Sequence, residues 1–241
     1  MFDDSHWAEV PAVADGVTRL SRFDLYSETS NQKYSSPPKI LDLCCGFGRI
    51  SAELARRGFA VTGVDITESY LRTAREEASY ENLNIEYINA DAREFVRPDV
   101  FDTAVSLYIS LGYFSNQKDD FLLVKNVYES LKTGGSFIIE TLGKEIAVRD
   151  FIEGEWFERA GFTVLTEYKP LDSWTLLDNR WILIKDGSRM EKTFTQRLYS
   201  ASELRAMLLE AGFCEVEIFG DWDESPYDHK AKKLIAAARK K

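Results

Sequence analysis

The chain predicts an α/β fold: a seven-stranded, mostly parallel sheet with helices on both faces, a terminal antiparallel hairpin and a small antiparallel β insertion. Three observations predict it. Short apolar runs alternate with helix-forming stretches from Lys39 to Thr141, the pattern of right-handed βαβ units. The period then shifts to two from about Phe162 to Leu198, as in strands with one covered face. Finally, the apolar runs Phe213–Phe219 and Lys233–Ala238 are joined by Gly220–Lys230, which has no helical pattern. Two strands joined without a crossover are antiparallel.

Each element has its own signal. Residues 1–36 read as one or two short helices outside the sheet, ended by Pro37 and Pro38, which stop a helix. Lys39–Cys44 is a buried strand running into a glycine turn, and Phe47–Arg57 is a helix ending at Gly58. Phe59–Asp65 is the second strand, with Thr67 expected to cap a helix to about Ser79 through its hydroxyl. Asn84–Asn89 and Phe101–Ser106 follow as strands. Lys118–Ser130 is a helix with Asp119 and Asp120 in the first turn, where the dipole favours them. Ser136–Thr141, after Gly134 and Gly135, is the fifth strand. In the period-two segment, Met190, Lys192, Phe194, Gln196 and Leu198 alternate with Arg189, Glu191, Thr193, Thr195 and Arg197. Asp186-Gly187 marks a tight hairpin before them. Trp174 and Trp181 read as the small core of this insertion, one of them possible as a pocket wall. Ser200 with Glu203 predicts a capping box, and Leu204, Met207, Leu208 and Ala211 share one helical face before Gly212.

Composition narrows the function. The 241 residues are 44% hydrophobic and 29% charged, which excludes disorder, collagen and coiled coil. No apolar run approaches the ~20 residues of a membrane helix, and the first residues have neither a basic start nor an apolar core. The net charge of −10 argues against nucleic-acid or anionic-membrane partners. The basic end, Lys232, Lys233, Arg239, Lys240 and Lys241, reads as a solvated terminus. The three cysteines are Cys44, Cys45 and Cys214, an odd count that fits a reducing, cytoplasmic compartment. No zinc-ligand spacing is present, so no metal is expected, and His6 and His229 are far apart.

The chemistry concentrates in Ile40–Ile50, ILDLCCGFGRI. A strand enters Cys44-Cys45-Gly46-Phe47-Gly48, whose glycines let backbone approach a ligand beside a helix N-terminus. Seventeen residues after Gly48, Asp65 ends the second strand, where a carboxylate can accept ribose hydroxyls. Asp91 and Ala92 end the third strand and suit an adenine edge.

Here the sequence resembles the class I S-adenosylmethionine-dependent methyltransferases, a Rossmann-like superfamily. The resemblance covers Lys39–Thr141 and Ser200–Lys241, through LDLCCGFGR, VTGVDIT, INADAREF, FDTAVSLYISLGYF, LKTGGSFIIE and RLYSASELRAMLLEAGF. Small-molecule members with an antiparallel insertion after the fifth strand look most similar. The resemblance implies S-adenosylmethionine as cofactor, S-adenosylhomocysteine as product, and an N, O or C atom of a small molecule as methyl acceptor. It sets the backbone around Leu43, Cys44, Gly46 and Gly48 against the methionine part, Asp65 on the ribose, and Ile66 on the adenine face. Asp91 and Ala92 flank the adenine edge and Leu107 touches the cofactor. The family's first loop glycine is Cys44 here.

On the substrate side the expected residues are Tyr108, Tyr113, Arg197 and Tyr199, with Ser110, Glu140, Asp221, Asp223 and Tyr227 as further candidates. Arg197 either anchors an acceptor carboxylate or phosphate or is a strand residue paired with an acid such as Glu191. No catalytic residue is assigned, because methyl transfer needs a general base only when the acceptor must lose a proton. The expected organisation is one methyltransferase domain, 1–241: a helical cap 1–38, a cofactor core 39–144, a lid 145–198 and a final helix and hairpin 199–241. The expected partner is a small-molecule substrate, with the protein a monomer or homodimer. Two other readings share features: an NAD-dependent oxidoreductase, weakened by Ser51 at the third glycine position, and a cofactor-binding protein without catalysis.

Overall fold

The first five strands pair in parallel. Strands β1 (Lys39–Leu43), β2 (Ala60–Asp65), β3 (Ile85–Asn89), β4 (Phe101–Ser106) and β5 (Leu131–Thr141) are parallel, and β10 (Glu215–Phe219) and β11 (Leu234–Arg239) complete the sheet. The structure is a computed structural model and describes residues 7–22 and 36–241. The expectations for residues 1–6 and 23–35, His6 among them, fall outside the described residues.

The strand order is β10-β11-β5-β4-β1-β2-β3. β11 is antiparallel to both β5 and β10, so the hairpin expected at the sheet end is present. Successive residues of each central strand enter opposite layers. Ile40, Val105 and Ile138 pack with α1 (Val10–Leu20) and α2 (Arg49–Arg56). Leu41, Ala104, Phe137 and Ile139 pack with α4 (Gln117–Ser130) and α6 (Ala201–Ala211). This two-sided burial is why the strands read as apolar runs instead of alternating ones. Helix α3 (Glu68–Tyr80) joins β2 to β3 and buries Leu71, Ala74 and Ala78.

Beyond α5 (Lys144–Arg149), strands β6 (Gly154–Arg159), β7 (Phe162–Leu171), β8 (Leu176–Lys185) and β9 (Ser188–Arg197) form a separate antiparallel meander. Strand β6 and helix α5 lie ahead of the period-two segment and carry no comparable sequence signal. The β8–β9 turn is Asp186-Gly187, with φ of 49° and 75°. Two positive φ values suit the right-handed twist of a two-residue hairpin. The ends of this excursion meet: Gly143 bridges Tyr199, and Lys144 N–H donates to the Tyr199 carbonyl at 2.9 Å.

Local caps follow the sequence with one exception. Ser200 and Glu203 form the reciprocal capping box, and Gly212 ends α6 with φ 116°. Asn116 caps α4 by accepting from Asp119 N–H. Thr67 sits at the N-cap of α3, but its hydroxyl makes no cap bond. Its own N–H donates instead to Asp65 Oδ1 at 2.8 Å.

Candidate cofactor and acceptor site

In an open parallel sheet, adjacent strands whose helices leave to opposite faces create a crevice at their carboxyl ends. Here that switch lies between β1 and β4, because α2 and α4 pack on opposite layers. The turn after β1 and the loop after β4 both open there.

The β1 turn is built from left-handed backbone. Cys44, Gly46 and Gly48 have φ of 58°, 55° and 73°. The two glycines serve different ends. A Cβ on Gly46 would meet nothing within 4 Å, so that face of the turn is open. A Cβ on Gly48 would stand 2.2 Å from the Tyr87 hydroxyl, so Gly48 makes room for packing as well as for the turn. Cys44 adopts a conformation that costs an L residue about 1–2 kcal/mol. Burial pushes its thiol up to about 12 and raises that of Cys45 further, so neither supplies a thiolate near neutral pH.

Asp65 ends β2, 9% exposed. Its Oδ2 accepts Gly46 N–H at 2.8 Å and its Oδ1 accepts Thr67 N–H at 2.8 Å. An ionised carboxylate has about four acceptor sites, so two bonds to the protein leave room for two hydroxyls. Ile66 beside it is 68% exposed, an apolar side chain presented to solvent at a strand end. Asp91 is differently employed than a free adenine ligand: Arg93 donates to both its oxygens and holds its carboxyl below the usual range. Ala92 is buried in the core, and Leu43 and Leu107 are buried at 1% and 4% exposure. The open Gly46 face, the acceptor capacity of Asp65 and the exposed Ile66 fit an adenosyl cofactor.

Sequence reading missed two residues at this turn. Asp42 and Arg49 line a small cavity of about 80 Å³ together with Cys44, Gly46 and Tyr108. Asp42 is 3% exposed and accepts Ser51 Oγ–H at 2.5 Å. Burial pushes its carboxyl up to about 7. The signal was a charged residue inside the apolar run KILDLC. Arg49 is 6% exposed, its guanidinium 4.7 Å from the Tyr108 ring centroid.

The loop after β4 is strained. Tyr108 and Ile109 have φ of 54° and 62°, a region that is a true outlier for a β-branched residue. Glu140, 5% exposed at the end of β5, holds both: Tyr108 N–H donates to its Oε2 at 2.6 Å, and Ile109 N–H to its carbonyl at 3.2 Å. Lys233 Nζ donates to Glu140 Oε1 at 3.3 Å.

A larger cavity of about 380 Å³ lies between this loop, α5 and one face of the insertion. The register places Tyr168, Leu177, Asn179, Trp181, Phe194 and Gln196 on that face. The opposite face carries the ion pairs Arg180–Glu167 and Arg180–Glu191. Tyr113 joins the cavity wall, its ring 5.5 Å from Phe194. Trp181 lines the cavity while Trp174 packs edge-on against Phe151, so the two tryptophans divide as wall and core.

The structure does not bring all the expected substrate-side residues together. Tyr108 lines the smaller cavity and Tyr113 the larger. Tyr199 is 3% exposed in the main core, its hydroxyl donating to Asp120 Oδ2 at 2.8 Å. Arg197 lies 3.9 Å from the same carboxylate, which replaces Glu191 as its acid. Glu191 is taken by Arg180 and Arg189. Neither Arg197 nor Tyr199 lines either cavity. In the last hairpin loop, Asp221 and Asp223 accept from Trp222 and Ser225 N–H, and Tyr227 donates to Glu145. Among the described residues there is no cluster of metal-ligating side chains, and no helix is long and apolar enough to cross a membrane.

Residues 40–135 match the family model of a methyltransferase domain. The Bacillus subtilis protein YqeM is 24% identical over 235 residues, spanning 95% of each chain. The Rickettsia prowazekii ubiquinone biosynthesis O-methyltransferase is 30% identical over 164 residues, 65% of this chain and 63% of that enzyme. Among solved structures, the amino pentose methyltransferase CalS10 of Micromonospora echinaspora, with S-adenosylmethionine bound, is 20% identical with a TM-score of 0.68, covering 97% of this chain and 91% of its own. Matched domain, strand order and glycine turn agree: residues 40–135 match a methyltransferase domain, and the chain has the fold of the S-adenosylmethionine-dependent methyltransferases it resembles.

Proposed function

We propose that this enzyme transfers a methyl group to an N, O or C atom of a small molecule bound under the insertion. One observation carries the reading. A single short segment divides the two cavities: Leu107, Tyr108 and Ser110 line the smaller, and Ile109 lines the larger. A cofactor on the glycine turn would thus face an acceptor in the larger cavity across that segment. The bound cofactor supplies a methyl group already made electrophilic by its sulfonium. The chain's tasks are to hold both molecules in line and to exclude water, and positioning can supply most of the acceleration.

On this reading Asp65 takes the ribose hydroxyls, Ile66 packs on the adenine, and Asp91 and Ala92 flank its edge. The backbone from Leu43 through Cys44, Gly46 and Gly48 faces the methionine part, with Leu107 beside it. Tyr113 contributes to the acceptor wall. The net charge of −10 supports a small acceptor over nucleic acid.

Calorimetric titration tests the cofactor half. S-adenosylmethionine and S-adenosylhomocysteine should bind and nicotinamide dinucleotides should not. Asp65→Ala should weaken cofactor binding by roughly 1.5–3 kcal/mol, the scale of charged hydrogen bonds. Unchanged affinity would remove Asp65 from the site, and NAD binding without any response to the methyl donor would overturn the reading. Radiolabelled methyl transfer across a panel of small acceptors then separates an enzyme of this kind from one that modifies macromolecules.

A further inference from the structure

The larger cavity has a chemical character that narrows its ligand. Its walls are aromatic and aliphatic, led by Tyr113, Phe151, Tyr168, Trp181 and Phe194. Among the described residues no lysine or arginine lines it. The acid on this wall, Asp150, is exposed and already bonded to Arg149. An anionic ligand would therefore lose its hydration and gain no counter-charge, which is strongly unfavourable.

Two donors on this wall lack partners. Trp181 Nε1–H and the Gln196 amide nitrogen are buried and make no hydrogen bond. Gln196 is 4% exposed. Buried donors are almost always satisfied, and each one left unpaired destabilises the protein. Both sit on the same sheet face, Trp181 on β8 opposite Lys192 and Gln196 on β9 opposite Leu177, four residues apart along the ladder. The wall thus combines apolar faces with donor capacity that the protein does not use.

We propose that the cavity takes an uncharged, ring-shaped, largely apolar acceptor bearing an oxygen that receives one of these two wall donors, the Trp181 N–H or the Gln196 N–H. This rests on the reading of the cavity as the acceptor site. It departs from an Arg197-anchored carboxylate or phosphate, because Arg197 lies beside Asp120 and off the cavity wall.

Three probes of similar shape test it on the full chain saturated with S-adenosylhomocysteine: acetophenone, ethylbenzene and benzoate. Saturation-transfer NMR titrations read their affinities. Acetophenone should bind best, with benzoate weaker by about ten-fold or more. One of Trp181→Phe and Gln196→Leu, the one that removes the donor met by its single oxygen, should weaken acetophenone about ten-fold, the scale of one hydrogen bond, and both should leave ethylbenzene unchanged. Ethylbenzene thereby reports that each variant remains folded. Benzoate binding as well as acetophenone would overturn the proposal, as would variants that affect all probes alike or none. Ala147→Phe, which fills the cavity from α5, keeps the two failures apart. If benzoate is the preferred probe and Ala147→Phe expels it, the acceptor site stands and the neutral class fails. If no probe binds, or none responds to Ala147→Phe, the cavity is not the acceptor site.

Discussion

Asp42 is held where an ionised carboxylate would be costly. It is 3% exposed on β1, with Ser51 Oγ–H as its side-chain donor, and burial raises its pKa from the ordinary 3.8 to about 7. The unfolded chain ionises this group near 3.8, so its contribution to stability is fully present below that pH. It is lost as pH rises toward 7, where the folded group also ionises. Asp42→Asn keeps an oxygen for Ser51 but cannot titrate. Wild type should therefore lose stability relative to the variant between pH 4 and 7, by a few kcal/mol, in urea unfolding at a series of pH values. A flat difference would mean the carboxyl titrates normally. Cys44 poses a second question at this scale. Its φ of 58° favours glycine, but glycine also raises the entropy of the unfolded chain by about 0.5–1 kcal/mol. These effects nearly cancel, so Cys44→Gly should lie within about 1 kcal/mol of wild type and bind S-adenosylhomocysteine normally. Cys44→Val, β-branched in the same conformation, should be clearly destabilised; equal stability of the two variants would contradict the left-handed assignment.

At the scale of elements, the end of β5 positions the loop after β4. Two consecutive left-handed residues, Tyr108 and Ile109, cost about 1–3 kcal/mol each and persist only where neighbours hold them. The Glu140 carboxylate and carbonyl do so, and Lys233 braces the carboxylate. Glu140→Leu removes the acceptor from Tyr108 N–H and should destabilise the protein by about 1–3 kcal/mol. It should also speed hydrogen exchange at Tyr108 and lower kcat more than cofactor affinity. Glu140→Gln keeps an acceptor oxygen and should recover most of the exchange protection. Loss of stability with normal exchange at Tyr108 would make Glu140 a packing residue only. Gly112 completes this corner, since its carbonyl accepts Arg197 N–H at 2.7 Å and a Cβ there would stand 2.4 Å from the Arg197 carbonyl oxygen. The close contact docks the end of the insertion on the β4 loop.

Across the whole molecule, the insertion is an excursion whose ends are paired. The Gly143–Tyr199 bridge allows a short linker to replace residues 145–198 without stretching the main sheet. Tyr199 and Asp120 stay in place in that variant, so the α4–α6 layer keeps its buried hydrogen bond. The shortened chain should fold and bind S-adenosylhomocysteine with near-normal affinity, but transfer should be abolished because one wall of the acceptor cavity is gone. Calorimetry and labelled-methyl turnover check the two halves. Normal methylation by the shortened protein would show that the insertion does not bound the acceptor site.

What the sequence determined by itself was the order and type of the elements other than α5 and β6, and the glycine turn after β1. Those signals are local: an apolar run such as KILDLC, the glycines after it, the Ser200–Glu203 cap and the Asp186-Gly187 hairpin each act within a few residues. Strand and turn chemistry of that range survives in a one-dimensional reading. The larger cavity does not, because its walls come from the β4 loop, α5 and the insertion, which are distant in sequence. Only tertiary structure could turn Tyr199 into a core residue, since its partner Asp120 lies 79 positions away. The same holds for Arg197, where pairing with Asp120 displaced the sequence neighbour Glu191. Gln196 read as an ordinary strand residue and Trp181 as part of the insertion's small core or a pocket wall, until the register put them on one face with no acceptor for their N–H groups. Hydrogen-bond satisfaction is decided by what surrounds an atom in space, and that information is absent from spacing along the chain.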